Sequence, residues 1–459
     1  MAARQGAADA RQGVGWLNSM SDPSQNLQPA DIPEALNQAV QFQNAGDLPS
    51  AEKIYRRILQ TDPRNENALH LLGVISLQEG DLEEASKLIK MAIKVNPDFP
   101  AAHNNLGTVH MEMGHPEDGA ESFRRAIDCQ ADFALAHYNL GNAYRGMKQS
   151  DEAVASYRKA ITLNPGYVDA YNNLGILLNT LGQFEEAVGC FNKVLALNPE
   201  IADVHFNLGN TLRDLGRLDA AAENYSRALD LDPGHLKAKH VLAALTDNST
   251  EMPPEGYVSL VFDNFAAHFE HQMVVGNCRI PEILRLLAGF LIEERKTFPD
   301  PPFQRVLDMG CGTGLAGEAF RDIVGELHGI DMSEKMLEQA RQKNVYDAIF
   351  QTGIEPFLSE SDDCYDLVLA ADVLIYFGPL DVVFKKVAQC LNKGGMFAFS
   401  VERLEVGTYV LQPSTRYAHN EDYVLRLAQE NGFDVVCNQA VEKMRNDVNG
   451  TLFWLEKIN

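Results

Sequence analysis

The residues best equipped for chemistry are Asp308, Gly310, Gly312 and Gly314, followed seventeen places later by Asp331. Arg305-Val306-Leu307 ahead of them has the character of a short buried strand. A helix opens near Leu315, and a second strand, Leu327 to Ile330, ends on the acid Asp331. Glycine lets backbone approach a ligand where a Cβ would collide. An acid closing the next parallel strand is placed to bind two vicinal ribose hydroxyls. A dinucleotide site wants G-x-G-x-x-G, but Leu315 follows Gly314 here, so the third glycine comes one place early. Asp308 would also repel a pyrophosphate, whereas it suits an ammonium group. The pattern favours a ligand with a ribose and an amino acid and no phosphate. The alternative is a tight strand-to-helix turn in another kind of α/β domain.

S-adenosylmethionine is such a ligand, and Asp308-x-Gly310-x-Gly312-x-Gly314 with Asp331 resembles the first two motifs of the class I S-adenosylmethionine-dependent methyltransferases. The resemblance implies that Asp308 and the loop Gly310, Cys311, Gly312 and Gly314 hold the methionine moiety. It implies that Asp331 takes the ribose and that Met332 lies against adenine. Ile354 and Glu355 would meet the adenine edge, and Ala370 to Asp372 would end the fourth strand beside the transferable methyl. Nitrogen methyltransferases often carry Asn/Asp-Pro-Pro-Tyr/Phe there; this chain has Ala371-Asp372-Val373-Leu374-Ile375-Tyr376. It is similar instead to the ubiquinone/biotin-pathway type, whose acceptors are mostly oxygen or carbon.

Methyl transfer from a sulfonium asks mainly for alignment in a dry pocket, and for a base only when the acceptor arrives protonated. The candidate catalytic groups are Asp372, Tyr417 and His419. Arg416 and Arg445 are expected to anchor an acidic substrate from loops at the rim, because a cluster of Arg, Tyr and His is hard to bury. Phe262, Phe265 and Phe269 share one face of an amphipathic helix running from Tyr257 to His271. Phe262 and Phe265, with Tyr376, are expected to cap the substrate. His268 and His271 lack a third ligand, so no metal site is expected.

The elements that must position these groups fill residues 257–459, where strands and helices alternate as in a doubly wound parallel sheet. Tyr365 to Asp372 reads as a strand buried on both faces. Phe433–Cys437 and Thr451–Glu456 read as a closing antiparallel hairpin. The expected fold is an α-solenoid followed by this Rossmann-like α/β methyltransferase domain.

The solenoid is legible by its period. Ala39, Gly73, Gly107, Gly141, Gly175 and Gly209 are each 34 residues apart, as are Ala51, Ala85, Gly119, Ala153, Ala187 and Ala221. Pro63, Pro97, Pro165, Pro199 and Pro233 close the units, with Ala131 in the remaining place. This resembles the tetratricopeptide repeat: small residues where two helices cross, proline where the second stops. Six units span about 32–235, and Leu236 to Leu245 should cap the last. Residues 1–31 read as a disordered tail, 32–246 as the array, 247–256 as a linker and 257–459 as the methyltransferase domain.

Two residues before the small position lie Asn37, Asn105, Asn139, Asn173 and Asn207, with Leu71 breaking the series. This resembles the asparagine ladder of the protein O-linked N-acetylglucosamine transferases and implies a peptide held in the groove at Asn105, Asn139, Asn173 and Asn207. Solvated asparagine is the alternative. As a whole the chain resembles a bacterial group described as predicted methyltransferases containing tetratricopeptide repeats.

With 39 basic against 64 acidic residues, the chain has a formal net charge of −25 and no Lys/Arg-rich run, so nucleic acid is not expected as a partner. Seven scattered cysteines without a C-x-x-C pair fit a reducing cytoplasm. No apolar run reaches a membrane span, and no signal-peptide order is seen at the N-terminus. Three functions remain open: O- or C-methylation of a small or carrier-bound acceptor with a protein partner on the repeats, methylation of a protein held in the groove, and a non-catalytic scaffold.

Overall fold

The computed structural model describes residues 27–246, 251–275, 279–295, 298–360, 364–445 and 448–458. Most of the expected tail, residues 247–250 of the expected linker and the side chain of Arg445 lie outside the described residues. The chain divides into two compact units, one ending at Glu200 and the other beginning at Ile201.

The first unit is built from helix pairs, beginning with Ile32–Asn44 and Leu48–Thr61 and ending with Val168–Thr180 and Phe184–Leu197. The repeating small residue is a point of close approach. A Cβ on Gly107 would lie 2.5 Å from the Phe123 ring, and one on Gly141 2.6 Å from the Tyr157 ring. Gly73 faces Ile89 and Gly175 faces Phe191 in the same way. The sequence therefore repeats a pair, glycine and a large residue sixteen places on, and Tyr157 and Phe191 are fully or almost fully buried. The turn between paired helices has a left-handed residue at Gly46, Gly80, Gly114 and Gly182, and at Lys148 in the fourth repeat.

The second unit opens with the sixth pair, Ala202–Asp214 and Leu218–Leu231, then the helix Leu236–Leu245. The expected single helix at 257–271 is two, Tyr257–Phe265 and Phe269–Val275, separated by a 3-10 turn at Ala266–His268. Helix Ile280–Arg295 leads to the sheet, whose strands are β1 (Phe303–Met309), β2 (Val324–Asp331), β3 (Ala348–Gln351), β4 (Tyr365–Ala370), β5 (Leu391–Leu404), β6 (Tyr409–Leu411), β7 (Tyr417–Asn420), β8 (Phe433–Arg445) and β9 (Val448–Lys457).

Strands β3-β2-β1-β4-β5 lie in that order and are parallel; β9 runs antiparallel to β5, and β8 to β9. Alternate residues feed two cores. Leu307, Val368, Phe397 and Phe453 enter one, while Val306, Leu367, Met396 and Trp454 enter the other. Burial on both faces explains why β4 shows no alternation in sequence. Helix Ile280–Arg295 buries Ile280, Leu284, Ala288 and Leu291, a single helical face, against the second core.

The short strands β6 and β7 stand where the sequence leads one to expect a loop at the rim around Arg416. β7 pairs in parallel with the far end of β5, Glu402↔Ala418 to Leu404↔Asn420, and β6 pairs antiparallel with β7.

Candidate functional site

Because the chain leaves β1 toward β3 on one side and takes up β4 and β5 on the other, the sheet switches direction between β1 and β4. In such sheets ligands bind beyond the carboxyl ends of the strands at that point. A cavity of about 240 Å³ lies there, with Gly310, Gly312, Asp331, Met332, Ile354 and Asp372 among its lining residues.

The glycine loop is held by backbone bonds: Gly310 N and Cys311 N donate to the Ile330 carbonyl at 2.8 and 2.9 Å. Gly310 and Gly312 have φ of +70° and +53°, which a side chain rarely adopts. Gly314 caps the following helix with φ +91° and does not line the cavity. Its role is packing, since Gly314, Gly317 and Gly329 clear a slot for the Tyr346 ring.

Tyr346 donates a 2.7 Å hydrogen bond to Asp308. Asp308 is 1% exposed, and burial pushes its carboxyl up to about 7; the phenol pulls the other way and Asp331 adds to the rise. Asp308 and Cys311 are buried and are not among the cavity-lining residues. Asp331 does line it. Its carboxylate accepts from Gly312 N at 3.0 Å and from Ser333 N at 2.9 Å. Burial raises its pKa, opposed by the backbone amides of Ser333, Gly312 and Met332.

The helices ahead of the sheet are fastened over this site. Ser333 Oγ donates to Asp263 at 2.6 Å, and Gln339 to the Ala266 carbonyl at 2.8 Å. Lys343 bridges Glu270 at 2.7 Å and Glu318 at 2.5 Å. Phe262 and Phe269 line the cavity, and Phe262 meets the Tyr376 ring edge-on at 5.4 Å. Phe265 does not line it and packs edge-on against Phe269 instead. Ile354 lines the cavity with Thr352, whereas Glu355 and Ala370 do not.

Asp372 and Tyr376 stand beyond the end of β4, both on the cavity wall. Asp372 has φ +60°, a conformation that costs an L-residue and that gathers at functional sites. Its amide donates to Ser400 Oγ at 2.9 Å.

Three expectations for the rim are corrected. Tyr417 is fully buried, in a cluster with Ala244 and Leu411. His419 is 1% exposed; its Nε2 donates to the Gly378 carbonyl at 2.9 Å, and burial lowers its pKa to about 4. Arg416 does not line the cavity but turns to Glu402 at 3.4 Å and to the Tyr376 phenol. Pairing within strand β7 and its neighbours makes burial of these polar groups possible, which their composition alone argued against. The side chain of Arg445 is outside the described residues.

Among the described residues, the charged ones lining the cavity are Glu255, Asp331 and Asp372, with Arg416 behind the wall acting on Asp372 and Tyr376. That donor set fits a cationic ligand carrying a sulfonium and an ammonium, and it does not fit a pyrophosphate or an anionic acceptor. The sequence reading missed Met252 to Gly256, Met273, Met336 and Phe377 among the lining residues.

In the array, the asparagine amides serve the repeats themselves. Asn105 meets His70 at 2.9 Å, Asn139 donates to Asn104 at 3.0 Å, and Asn173 donates to Tyr138 and Asn142 at 3.0 and 3.1 Å. Asn207, in the second unit, is half-buried, and only its backbone carbonyl is seen to be engaged, accepting from Thr211 Oγ1 at 2.9 Å among the hydrogen bonds of the described residues. Among the described residues there is no cluster of potential metal ligands and no helix long and apolar enough to cross a membrane.

Residues 306–395 match the methyltransferase-domain family, and residues 44–109, 134–167 and 172–235 match tetratricopeptide-repeat families. The ubiquinone biosynthesis O-methyltransferase of Shewanella sp. (strain ANA-3) is 24% identical over 173 residues, covering 34% of this chain and 73% of that protein. The malonyl-acyl-carrier protein O-methyltransferase of Enterobacter lignolyticus (strain SCF1) is 29% identical over 151 residues, 32% of this chain and 55% of that protein. The chain thus spans about half the length of the second relative. Among solved structures, that of MamA is 27% identical, covering 37% of this chain and 97% of that one with a TM-score of 0.34.

Proposed function

From the premise that the chain carries tetratricopeptide repeats and a methyltransferase domain, we propose that it transfers a methyl group from S-adenosylmethionine to an oxygen or carbon of a small or carrier-bound acceptor. Residues 257–459 are assigned the chemistry, and the array at 32–246 the recruitment of a protein partner.

The observation that carries this reading is the lining of the cavity: Gly310 and Gly312 with positive φ, Asp331 at the end of β2 and Asp372 beyond β4, with no lysine or arginine among the described lining residues. When bound, the cofactor supplies an electrophilic methyl on a cationic sulfur. The bare backbone at Gly310 and Gly312 allows close approach, and Asp331, oriented by the Gly312 and Ser333 amides, takes the ribose hydroxyls. Phe262, Phe269, Met273 and Val373 exclude water, which strengthens every charge interaction inside. Asp372 is placed to accept the proton of an acceptor hydroxyl, with Tyr376 beside it. Tyr417 and His419, buried away from the cavity, have no part in the proton transfer. The acidic lining also replaces the idea of an anionic acceptor anchored by Arg416 with that of a neutral one. The names of the two O-methyltransferase relatives favour oxygen over carbon. Unpaired cysteines among the described residues support a reducing, cytoplasmic setting.

The test is transfer of a labelled methyl from S-adenosylmethionine in a desalted lysate of a bacterium, followed by extraction with organic solvent. Label in the extract, or on a carrier protein from which mild base releases it as a small molecule, is the expected result. Label retained on other proteins would favour methylation of a groove-bound protein, and no label above an Asp372→Ala control would overturn the enzymatic reading.

A further inference from the structure

Granted that cavity as the site of cofactor and acceptor, we propose that the segment Met252–Gly256 forms the wall of its acceptor end and so sets acceptor choice. The positioning residue that holds this wall is His240, on the last helix of the repeat array.

Met252, Pro253, Pro254, Glu255 and Gly256 all line the cavity, although they precede the methyltransferase domain in the chain. Their attachment places them at the Asp372 end rather than at the glycine loop. Gly378 N donates to the Glu251 carbonyl at 3.0 Å, directly after Tyr376 and Phe377, which line the cavity. A Cβ on Gly378 would run into that carbonyl, so glycine is what allows the two backbones to touch. On the other side, Tyr257 N donates to the Pro254 carbonyl at 2.9 Å. Two consecutive prolines fix φ and leave the segment little entropy to lose on docking.

The anchor lies in helix Leu236–Leu245. His240 is 1% exposed, its Nε2 donates to the Thr415 carbonyl at 3.0 Å, and its ring lies 4.3 Å from that of Tyr257. One turn on, Ala244 packs with Leu411 and Tyr417. The β6–β7 pair, absent from the sequence reading, thereby acquires a purpose. It seats the array's last helix through Thr415 and Tyr417, and it seats the Gly378 turn through the hydrogen bond from His419. Beside the Glu255 carboxylate, the wall offers a thioether and two pyrrolidine rings, surfaces for the apolar part of an acceptor that carries no negative charge. It follows that a fragment beginning at 257 would lack part of its own acceptor site.

The experiment uses the full chain. Amide hydrogen exchange is followed at Gly378 and Tyr257, whose N–H groups bond Glu251 at the segment's edge and Pro254 within it, and at Val306–Met309 in β1 as a control. His240→Ala is expected to speed exchange at Gly378 and Tyr257 by about tenfold or more and to leave β1 unchanged, because only local docking is lost. His240→Gln, which keeps an N–H donor, is expected to stay close to wild type. Unchanged exchange at Gly378 and Tyr257, or equal acceleration in β1, would overturn the positioning role. The wall itself is tested with 1-naphthol, a neutral apolar hydroxyl probe, titrated into protein saturated with S-adenosylhomocysteine. Met252→Ala should weaken naphthol by about fivefold and change the cofactor product by no more than about twofold. No naphthol binding by the wild type, or none of this weakening, would overturn the wall. Failure of S-adenosylhomocysteine to bind would instead overturn the cofactor reading, and the exchange measurement would still decide the positioning role.

Discussion

The repeats and the cofactor loop both depend on glycine at fixed spacing, and for different physical reasons. In the array, Gly107 and Gly141 sit inside helices and are small so that a ring from the paired helix can fill the space. In the loop, Gly310 and Gly312 have positive φ and border a cavity. The first kind of glycine serves packing and recurs with the period of the fold. The second occurs once: a Cβ on Gly312 would meet nothing nearer than Phe269 at 4.0 Å and so would project into ligand space, whereas Gly310 is required by its φ and by Val373 beside it. A glycine pattern therefore points to function when its backbone is unusual and its neighbours leave a space, and to architecture when a neighbour fills it.

The sharpest way to break that contrast is Gly310→Ala. The new methyl would stand 2.6 Å from Val373 Cγ2 and force an L-residue to keep φ +70°. Strain and overpacking together should cost about 3 kcal/mol, and S-adenosylhomocysteine affinity should fall by about a hundredfold or more. Thermal unfolding and calorimetry read the two effects separately.

The acid beneath the loop gives a second, pH-dependent contrast. Burial raises the Asp308 carboxyl to about 7. Between its unfolded value near 3.9 and that folded value, the native state holds a proton that the unfolded state has released, so this group's contribution to stability falls as pH rises. Asp308→Asn should therefore flatten the fall in the ligand-free protein's thermal midpoint between about pH 4 and pH 7. An unchanged slope would contradict the burial of an ionisable group there.

A smaller loss is expected in the array. Gly141→Ala gains about 1 kcal/mol of helix propensity but puts a methyl 2.6 Å from the Tyr157 ring, and overpacking of about 1–3 kcal/mol outweighs the gain. The thermal midpoint should drop while cofactor affinity stays unchanged. The smallest effect should be a gain. Lys148 holds φ +60° in a turn where the other repeats place Gly46, Gly80, Gly114, Gly182 and Gly216. Lys148→Gly should add about 0.5 kcal/mol, read as a small rise in the midpoint of chemical unfolding.

What the sequence made legible follows the same division. The 34-residue period and the alternation of strand and helix are local signals repeated many times, and helix Leu236–Leu245 was read from end to end. Gly310, Gly312, Asp331, Met332, Ile354, Asp372, Phe262 and Tyr376 are legible from motif and spacing, and they line one cavity. Tyr417 and His419 were misjudged because strands of three and four residues are too short to show a period. Their burial rests on partners remote in the chain, such as the Gly378 carbonyl. The segment Met252–Gly256 looked like a spacer for the same reason, since nothing in its composition announces a bond to Gly378. Asparagine spacing suggested a peptide groove, while the side chains at Asn139 and Asn173 bond across to the neighbouring repeat.

The most direct test of the cavity as a cofactor site is isothermal titration of S-adenosylmethionine and S-adenosylhomocysteine into the full-length protein, beside Asp331→Ala. Micromolar binding by the wild type, lost in the variant, is the expected result. Wild-type protein that takes up neither ligand, or a variant that binds as tightly, would contradict it.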